Sequence, residues 1–233
     1  MTKLSDEQNK IHKNSKYSRF DKNVFLNQIS SVSDLQGWRN KLVHSISNIN
    51  FAENLRICDF GTGLGDKAFL ASEIKESEQV IVLDYSSQAI EKSKNFIDKD
   101  NFRFVSTDIN SVKKYIDENY IDVGFMFGFL HEVNDIKEAL KNVKPVMKNN
   151  CLLVISDNSL SFNFYNLKNA LSDNGYTYKV FKIKKFLFTF SFSNYLFINY
   201  RRHKNRADKL LAICSINKNT NIELFLNSFK KLH

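Results

Sequence analysis

An acid and three glycines at alternate positions, Asp59, Gly61, Gly63 and Gly65, sit between the apolar run Leu55-Arg56-Ile57-Cys58 and the helical pattern Lys67-Ala68-Phe69-Leu70-Ala71. Glycines spaced this way let the backbone approach a ligand that a Cβ would hold off. A buried strand passing through such a turn into a helix is the opening unit of a doubly wound α/β sheet. The spacing therefore points to a nucleoside cofactor, and it also narrows the choice. A dinucleotide fingerprint, G-x-G-x-x-G, wants glycine at position 66, where this chain has Asp66. Asp59 adds a carboxylate beside the ligand, which repels a pyrophosphate and suits a cationic amino-acid moiety with its sulfonium. S-adenosylmethionine is a ligand of that chemistry.

Further acids close the next apolar runs. Gln79-Val80-Ile81-Val82-Leu83-Asp84 ends in a carboxylate about twenty residues past the glycine turn. Phe102-Arg103-Phe104-Val105-Ser106-Thr107-Asp108 ends in another, and Ile121 to Phe127 leads into Gly128-Phe129-Leu130-His131-Glu132-Val133. The string D-F-G-T-G-L-G resembles motif I of the class I S-adenosylmethionine-dependent methyltransferases, and the later landmarks keep that family's order over roughly residues 50–160. The resemblance implies that Asp84 accepts the ribose hydroxyls and that Asp108 contacts the adenine amino group. It further implies a cofactor site drawn from Asp59, Gly61, Thr62, Gly63, Tyr85, Ile109, Phe127 and Gly128, with Tyr17 closing over it. Met147 to Asp157 stands where many members have L-K-P-G-G-x-L and a fifth strand. Asn149, Asn150 and Cys151 replace the Pro-Gly-Gly, and because Asn tolerates left-handed geometry the turn is expected to survive.

Methyl transfer from a sulfonium asks mainly for alignment and a desolvated pocket. A general base is needed only where the acceptor loses its proton early. His131 is the candidate, since the turn after strand four faces the transferred methyl in this fold and histidine titrates near neutral pH; the alternative is that this turn only packs and positions. Glu132 reads as a first-turn acid favoured by a helix dipole. With one proline, Pro145, the chain has no Asn-Pro-Pro-Tyr string for exocyclic amino methylation of bases and no Pro-Cys nucleophile. It has no H-E-x-x-H and no zinc-ligand cluster, so no metal is expected.

Stepping outward to the elements that position these residues, 233 residues suffice for one substantial core. The fold class expected is α/β, a doubly wound Rossmann-like seven-stranded sheet with an N-terminal helical cap. Residues 1–50 are read as arm and cap and 51–233 as the S-adenosylmethionine-binding domain. Residues 1 to about 16 read as a floppy or weakly helical charged arm. Leu35, Trp38, Leu42, Val43, Ile46 and Ile49 recur at helical spacing, which places a helix from an Asp34 cap to about Ile49. That arrangement more faintly resembles the quinone-biosynthesis methyltransferases. Helices are expected around Ala89–Ile97, Ile136–Val143 and Phe162–Leu171. A sixth strand should run from Tyr176 to about Phe188 and an antiparallel seventh from Leu210 to Ile216. The tail from Ile222 to Leu232 fits strand or helix.

The net charge of +9 is concentrated late in the chain, where Lys179, Lys182, Lys184, Lys185, Arg201, Arg202, Lys204, Arg206 and Lys209 flank an uncharged aromatic run, Phe186 to Tyr200. The connection between strands six and seven exceeds a tight hairpin by about twenty residues, so an aromatic insertion is placed at about 186–206. Three readings follow. The first is an enzyme methylating O, N or C of a small-molecule acceptor, which the insertion helps to cap. The second is an RNA methyltransferase whose basic residues bind phosphates and whose aromatics stack bases. The third is a membrane-surface or partner-binding protein that retains the cofactor fold. Cys58, Cys151 and Cys214 lie in apolar surroundings without ligand spacing, which fits reduced core thiols. No signal-like segment opens the chain, and a cytoplasmic location is expected.

Overall fold

Strands apolar on both faces are stable only between two helical layers, and this chain meets that demand. The computed structural model describes residues 6–32, 35–51, 54–158, 164–183, 209–216 and 220–231. Three helices come first: α1 (Asp6–Tyr17), α2 (Lys22–Ser30) and α3 (Leu35–His44). Then follow β1 (Arg56–Phe60), α4 (Asp66–Ile74), β2 (Gln79–Asp84), α5 (Ser87–Phe96), β3 (Phe102–Ser106), β4 (Ile121–Phe127) and α6 (Ile136–Val143). The chain ends with β5 (Met147–Asn158), α7 (Phe164–Asp173), β6 (Thr177–Ile183), β7 (Lys209–Ser215) and α8 (Thr220–Lys231).

The strands form one seven-stranded sheet in the order β3-β2-β1-β4-β5-β7-β6. β1 to β5 run parallel, and β7 inserts antiparallel between β5 and β6. Between β1 and β4 the order reverses, which leaves a crevice outside their carboxyl ends where ligands bind in open α/β sheets. Alternation along each strand sorts the side chains. Cys58, Ile81, Met126, Leu153 and Ala212 face the core covered by α6 and α7. Ile57, Val82, Phe125, Val154 and Ile213 face the core covered by α3, α4, α5 and α8.

Four sequence expectations change in detail. The charged arm is a helix, α1, docked by the buried Tyr17 at its end and by polar contacts: Asn14 Oδ1 accepts from Ser86 Oγ at 2.5 Å and from the Gln88 N–H at 3.3 Å. The turn expected at Asn149 and Asn150 does not form. β5 runs through both, and among the described non-glycine residues only Asn54 and Asn119 have positive φ. Ile121 pairs with Met147 but Val123 with Leu152, so the surplus is absorbed as a bulge opposite Asp122. Asp122 anchors it by accepting from Lys148 Nζ at 2.8 Å and from the Arg56 N–H at 2.9 Å. The tail is helical, with Ile222, Phe225 and Leu226 buried on one face. The helix after strand five is Phe164–Asp173. The aromatic insertion, most of the basic stretch and the Asp34 cap lie outside the described residues.

One buried polar network joins the N-terminal helices to the sheet. Asn40 of α3 donates through Nδ2 to the carbonyls of Gln28, Ile29 and Ser31 at 3.0, 3.0 and 2.9 Å, closing the end of α2. Its Oδ1 accepts from Lys67 Nζ of α4 at 2.6 Å, and Lys67 is itself buried. Removing Asn40 takes one partner from the buried Lys67 ammonium, which keeps Asp66 Oδ2 at 2.7 Å, and leaves three carbonyls without their donor, a cost of about 1–3 kcal/mol for a buried group. Asn40→Ala should therefore lower the unfolding free energy in urea by at least about 2 kcal/mol. A loss below about 0.5 kcal/mol would mean that the network contributes nothing to docking.

Candidate functional site

The glycine turn is built from the two central strands. Gly61, Gly63 and Gly65 have φ of +71°, +63° and +77°, a left-handed alternation that side chains with a Cβ rarely adopt. The N–H groups of Gly61 and Thr62 donate to the Leu83 carbonyl at 2.8 and 3.1 Å. Asp84, at the end of β2, accepts from the Gly63 N–H at 2.8 Å through Oδ2 and from the Ser86 N–H at 2.8 Å through Oδ1. Burial pushes the Asp84 carboxyl above its ordinary value, against the pull of these two donors.

Asp59, at the end of β1, is buried and accepts from Thr62 Oγ1 at 2.7 Å. Burial pushes its pKa up to about 7; the Thr62 hydroxyl and Lys67 oppose the rise, and Asp66 and Asp84 add to it. A carboxyl in this state gains most from a neighbouring cation.

Over the turn opens a cleft of about 660 Å³, walled by Tyr17, Phe20, Arg39, Asp59, Thr62 and Phe127. A smaller hollow on the other side of Tyr17 is lined by Lys13, Asp84, Tyr85, Phe129 and Glu132, and Gly61 and Gly128 border both. Each glycine of this floor has a side chain laid upon it. A Cβ on Gly61 would lie 2.1 Å from the Phe129 ring, one on Gly63 3.2 Å from Tyr17 Oη, and one on Gly128 2.3 Å from Arg39 Nη2. Burial, with Asp84, Glu132, Asp66 and Asp59 adding to it, drives the Tyr17 hydroxyl far above its ordinary pKa, so it stays protonated. Lys16 Nζ lies 2.8 Å from Glu132 Oε1 and Lys13 Nζ 3.7 Å from Oε2, which fastens the end of α1. Burial raises the Glu132 carboxyl, but these lysines leave it below its ordinary value.

His131 is held by the end of β5. Its Nδ1 lies 2.8 Å from Asp157 Oδ1, and its backbone N–H donates to Asp157 Oδ2 at 3.1 Å. An ionised Asp157 only accepts, so this contact assigns the proton to Nδ1 and leaves Nε2 with its lone pair. Nε2 lies 3.8 Å from Glu132 Oε1.

Of the residues expected at the site, Tyr17, Asp59, Gly61, Thr62, Gly63, Phe127 and Gly128 meet around the cleft, and Asp84 and Tyr85 line the adjoining hollow. Asp108 and Ile109 border neither. Asp108 is exposed and caps the 3₁₀ helix Ile109–Lys114, accepting from the Asn110 N–H at 2.7 Å, while Ile109 is packed in the core. His131 borders neither as well, although its neighbours Phe129 and Glu132 do. Sequence reasoning did not single out Asp157, Arg39 or the Lys67–Asn40 pair. Asp157 was readable as an acid at the carboxyl end of a central strand, the edge where ligands bind. Among the described residues no group of His, Cys, Asp and Glu could hold a metal ion, and no helix is long and apolar enough to cross a membrane.

The hydrogen bond to Asp157 raises the His131 pKa above its ordinary 6.5, with burial opposing. A histidine whose folded pKa is raised adds stability that is fully present below its unfolded pKa and is lost as pH rises through the folded value. The stability gap between wild type and Asp157→Asn should therefore be widest near pH 6 and narrow towards pH 9. The His131 Hε1 resonance should titrate above 6.5 in wild type and lower in the variant. Identical midpoints would show that the pair is not electrostatically coupled.

Residues 51–187, more than half of the chain, match the methyltransferase domain family. No curated protein sequence matches. Solved structures do. The plantazolicin methyltransferase BamL, in complex with a triazolic desmethylPZN analog and SAH, superimposes with a TM-score of 0.59 at 14% identity, covering 91% of this chain and 97% of that one. Phosphoethanolamine N-methyltransferase 2 of Haemonchus contortus, in complex with S-adenosyl-L-methionine, gives 0.65 at 11% identity over 88% of this chain and 60% of that one. A SAM-dependent methyltransferase from Archaeoglobus fulgidus gives 0.56 at 17% identity, over 76% and 92%. At such identities the likeness is one of fold, and the fold agrees with the matched family: the chain belongs to the methyltransferase domain family and is a class I S-adenosylmethionine-dependent methyltransferase.

Proposed function

We propose that this chain transfers a methyl group from S-adenosylmethionine to O, N or C of a small-molecule acceptor. The observation that supports this reading best is the roofed cleft. Tyr17, Phe20 and Arg39 of the N-terminal helical region stand over the glycine floor and make it concave, the form that small-molecule sites take. The residues fit the cofactor: the buried Asp59 gains from a cation, and Asp84 is anchored by two backbone donors at the end of β2. Bound there, the cofactor supplies a methyl group on a positively charged sulfur.

The chain's own residues have simpler tasks. Asp84 would accept ribose hydroxyls, Asp59 would face the amino-acid end, and Tyr17 and Phe20 would keep water from the reacting atoms. His131 has its Nδ1–H committed to Asp157, so in a base role Nε2 would be the atom that takes the acceptor's proton; the alternative is that His131, which lines neither space, only packs and positions.

Two measurements test the reading. Calorimetry should show S-adenosylhomocysteine binding where NAD does not, and Asp84→Ala should weaken that binding by about 1.5–3 kcal/mol, the worth of a charged acceptor. Methyl-labelled cofactor incubated with cell extract should then label the small-molecule fraction. Unchanged affinity in the variant removes the site assignment, and label confined to RNA removes the acceptor class.

For His131, replacement by Gln keeps hydrogen bonding but removes proton acceptance. A base role predicts a fall in kcat of roughly 10²- to 10⁴-fold with cofactor affinity little changed. A loss under about fivefold at saturating acceptor, with the acidic limb of the pH profile unmoved, would leave His131 a positioning residue only.

A further inference from the structure

Tyr17 divides the crevice over the glycine turn. Asp59 lines the cleft and not the hollow, Asp84 and Tyr85 line the hollow and not the cleft, and Tyr17 and Lys16 line both. A ligand that reaches both carboxylates has to pass between Tyr17 and the floor. There is no layer for it. Tyr17 Oη and Cε1 stand 3.2 and 3.3 Å from where a Cβ on Gly63 would lie, whereas an atom placed between ring and floor needs about 3.5–4.0 Å of its own on either side. Gly61 and Gly128, which border both spaces, are covered in the same way by Phe129 and Arg39, at 2.1 and 2.3 Å from their Cβ positions.

The ring is held down from two rims. On the β2 side Asn14 Oδ1 accepts from Ser86 Oγ and the Gln88 N–H, and Lys92 Nζ of α5 donates to the Ser18 carbonyl at 3.2 Å and to the Phe20 carbonyl. On the β4 side Lys16 and Lys13 meet Glu132 at 2.8 and 3.7 Å. We propose that α1 is an autoinhibitory strap: these fastenings hold Tyr17 seated on Gly63, and the cofactor enters only when they release and the ring rises from the floor. Once risen, the same ring can stand over the bound cofactor, as the proposed reaction asks of it. The inference rests on the cofactor reading above and adds the step that controls access to that site. Apparent affinity falls with the fraction of molecules that is competent to bind, so loosening a strap made only in the seated form strengthens binding. A cover that merely closes on its ligand gives the opposite sign, because each contact removed from it weakens the bound form.

The test uses the full chain and S-adenosylhomocysteine, titrated by calorimetry. Asn14 lines neither space, so Asn14→Ala removes a fastening and no ligand contact. It should tighten the Kd by about two- to fivefold, the range of a neutral hydrogen bond. Lys16→Met keeps the apolar stem and removes the ion pair, and at low salt it should tighten binding by up to about fivefold. Raising salt from about 0.05 to about 0.5 M screens the pair with Glu132, while the amino-acid end of this ligand is a neutral zwitterion. Wild-type affinity should therefore rise with salt, and the rise should shrink in Lys16→Met.

Unchanged or weaker binding by Asn14→Ala overturns the inference, as does a wild-type affinity that falls as salt rises. A partly unfolded variant lowers the number of sites per chain in the titration and not the Kd of the folded fraction, and the wild-type salt series needs no variant at all. A wild type that does not bind S-adenosylhomocysteine at any salt defeats the cofactor reading and the strap with it. That outcome is distinct from a wild type that binds and gains nothing when the strap is loosened, which defeats the strap alone.

Discussion

The ends of β1 and β2 are joined through one carboxylate, and the site depends on that junction. Asp84 spends its two oxygens on the N–H groups of Gly63 and Ser86, so the same side chain shapes the glycine turn and sets the approach to α5. Leu83, its neighbour, holds the first two residues of the turn through its carbonyl. A buried carboxylate is costly unless hydrogen-bonded, and here the donors are backbone groups that cannot rotate away. The left-handed glycines make this possible, because they aim the Gly63 N–H out of the turn and towards β2. From that fixed point the floor of the cleft, the start of α4 and the carboxyl edges of β1 and β4 are all positioned.

Charge is arranged locally and not by the net +9 of the chain. Around the cleft and the hollow stand Asp59, Asp66, Asp84 and Glu132, met by Lys13, Lys16, Lys67 and Arg39, and the Asp157–His131 pair lies outside both linings. Most are matched in close pairs. Asp59, answered only by a hydroxyl, is the acid whose pKa is driven to about 7. Arg39 is the cation with an unsatisfied buried nitrogen. The overall basic balance of the chain does not reveal these local pairings.

What the sequence made legible follows the same physics. The central strands read clearly because each is a short run of Val, Ile, Leu and Phe ending in an acid, and a parallel sheet buried on both faces permits little else. The cap helix was legible through Leu35, Trp38 and Leu42 at helical spacing, but it ends at His44, short of the Ile49 expected. α1 was read as loose because it offers few apolar residues, and its docking through Asn14, Lys13 and Lys16 leaves no periodic trace. Asn149 and Asn150 suggested a turn by type, yet they lie in β5 between Met147 and Leu152, which pair with β4, and the bulge takes up the surplus. Arg39, Asn40 and Lys67 were hidden for a related reason. A polar residue in a helix reads as solvent-facing until a second element is known to cover it, and burying these required the long-range docking of α2 and α3 on α4.

The cover over the cleft is fastened unevenly. α2 and α3 are held to α4 by the buried Asn40–Lys67 network, whose rupture leaves buried carbonyls without a donor. α1 is held to the far rim chiefly by Lys16 and Lys13 on Glu132, with the Lys16 and Glu132 side chains 46% and 27% exposed. Ion pairs with that much solvent contact contribute about 0–1 kcal/mol and weaken with salt. The Asn14 bonds to Ser86 and Gln88 add neutral contacts worth about 1 kcal/mol each. Local opening follows the least costly set of contacts. The roof above Asp84 and Tyr85 is thus fastened by weaker polar contacts than the part held through Asn40, and Tyr17, buried at the end of α1, is its apolar anchor.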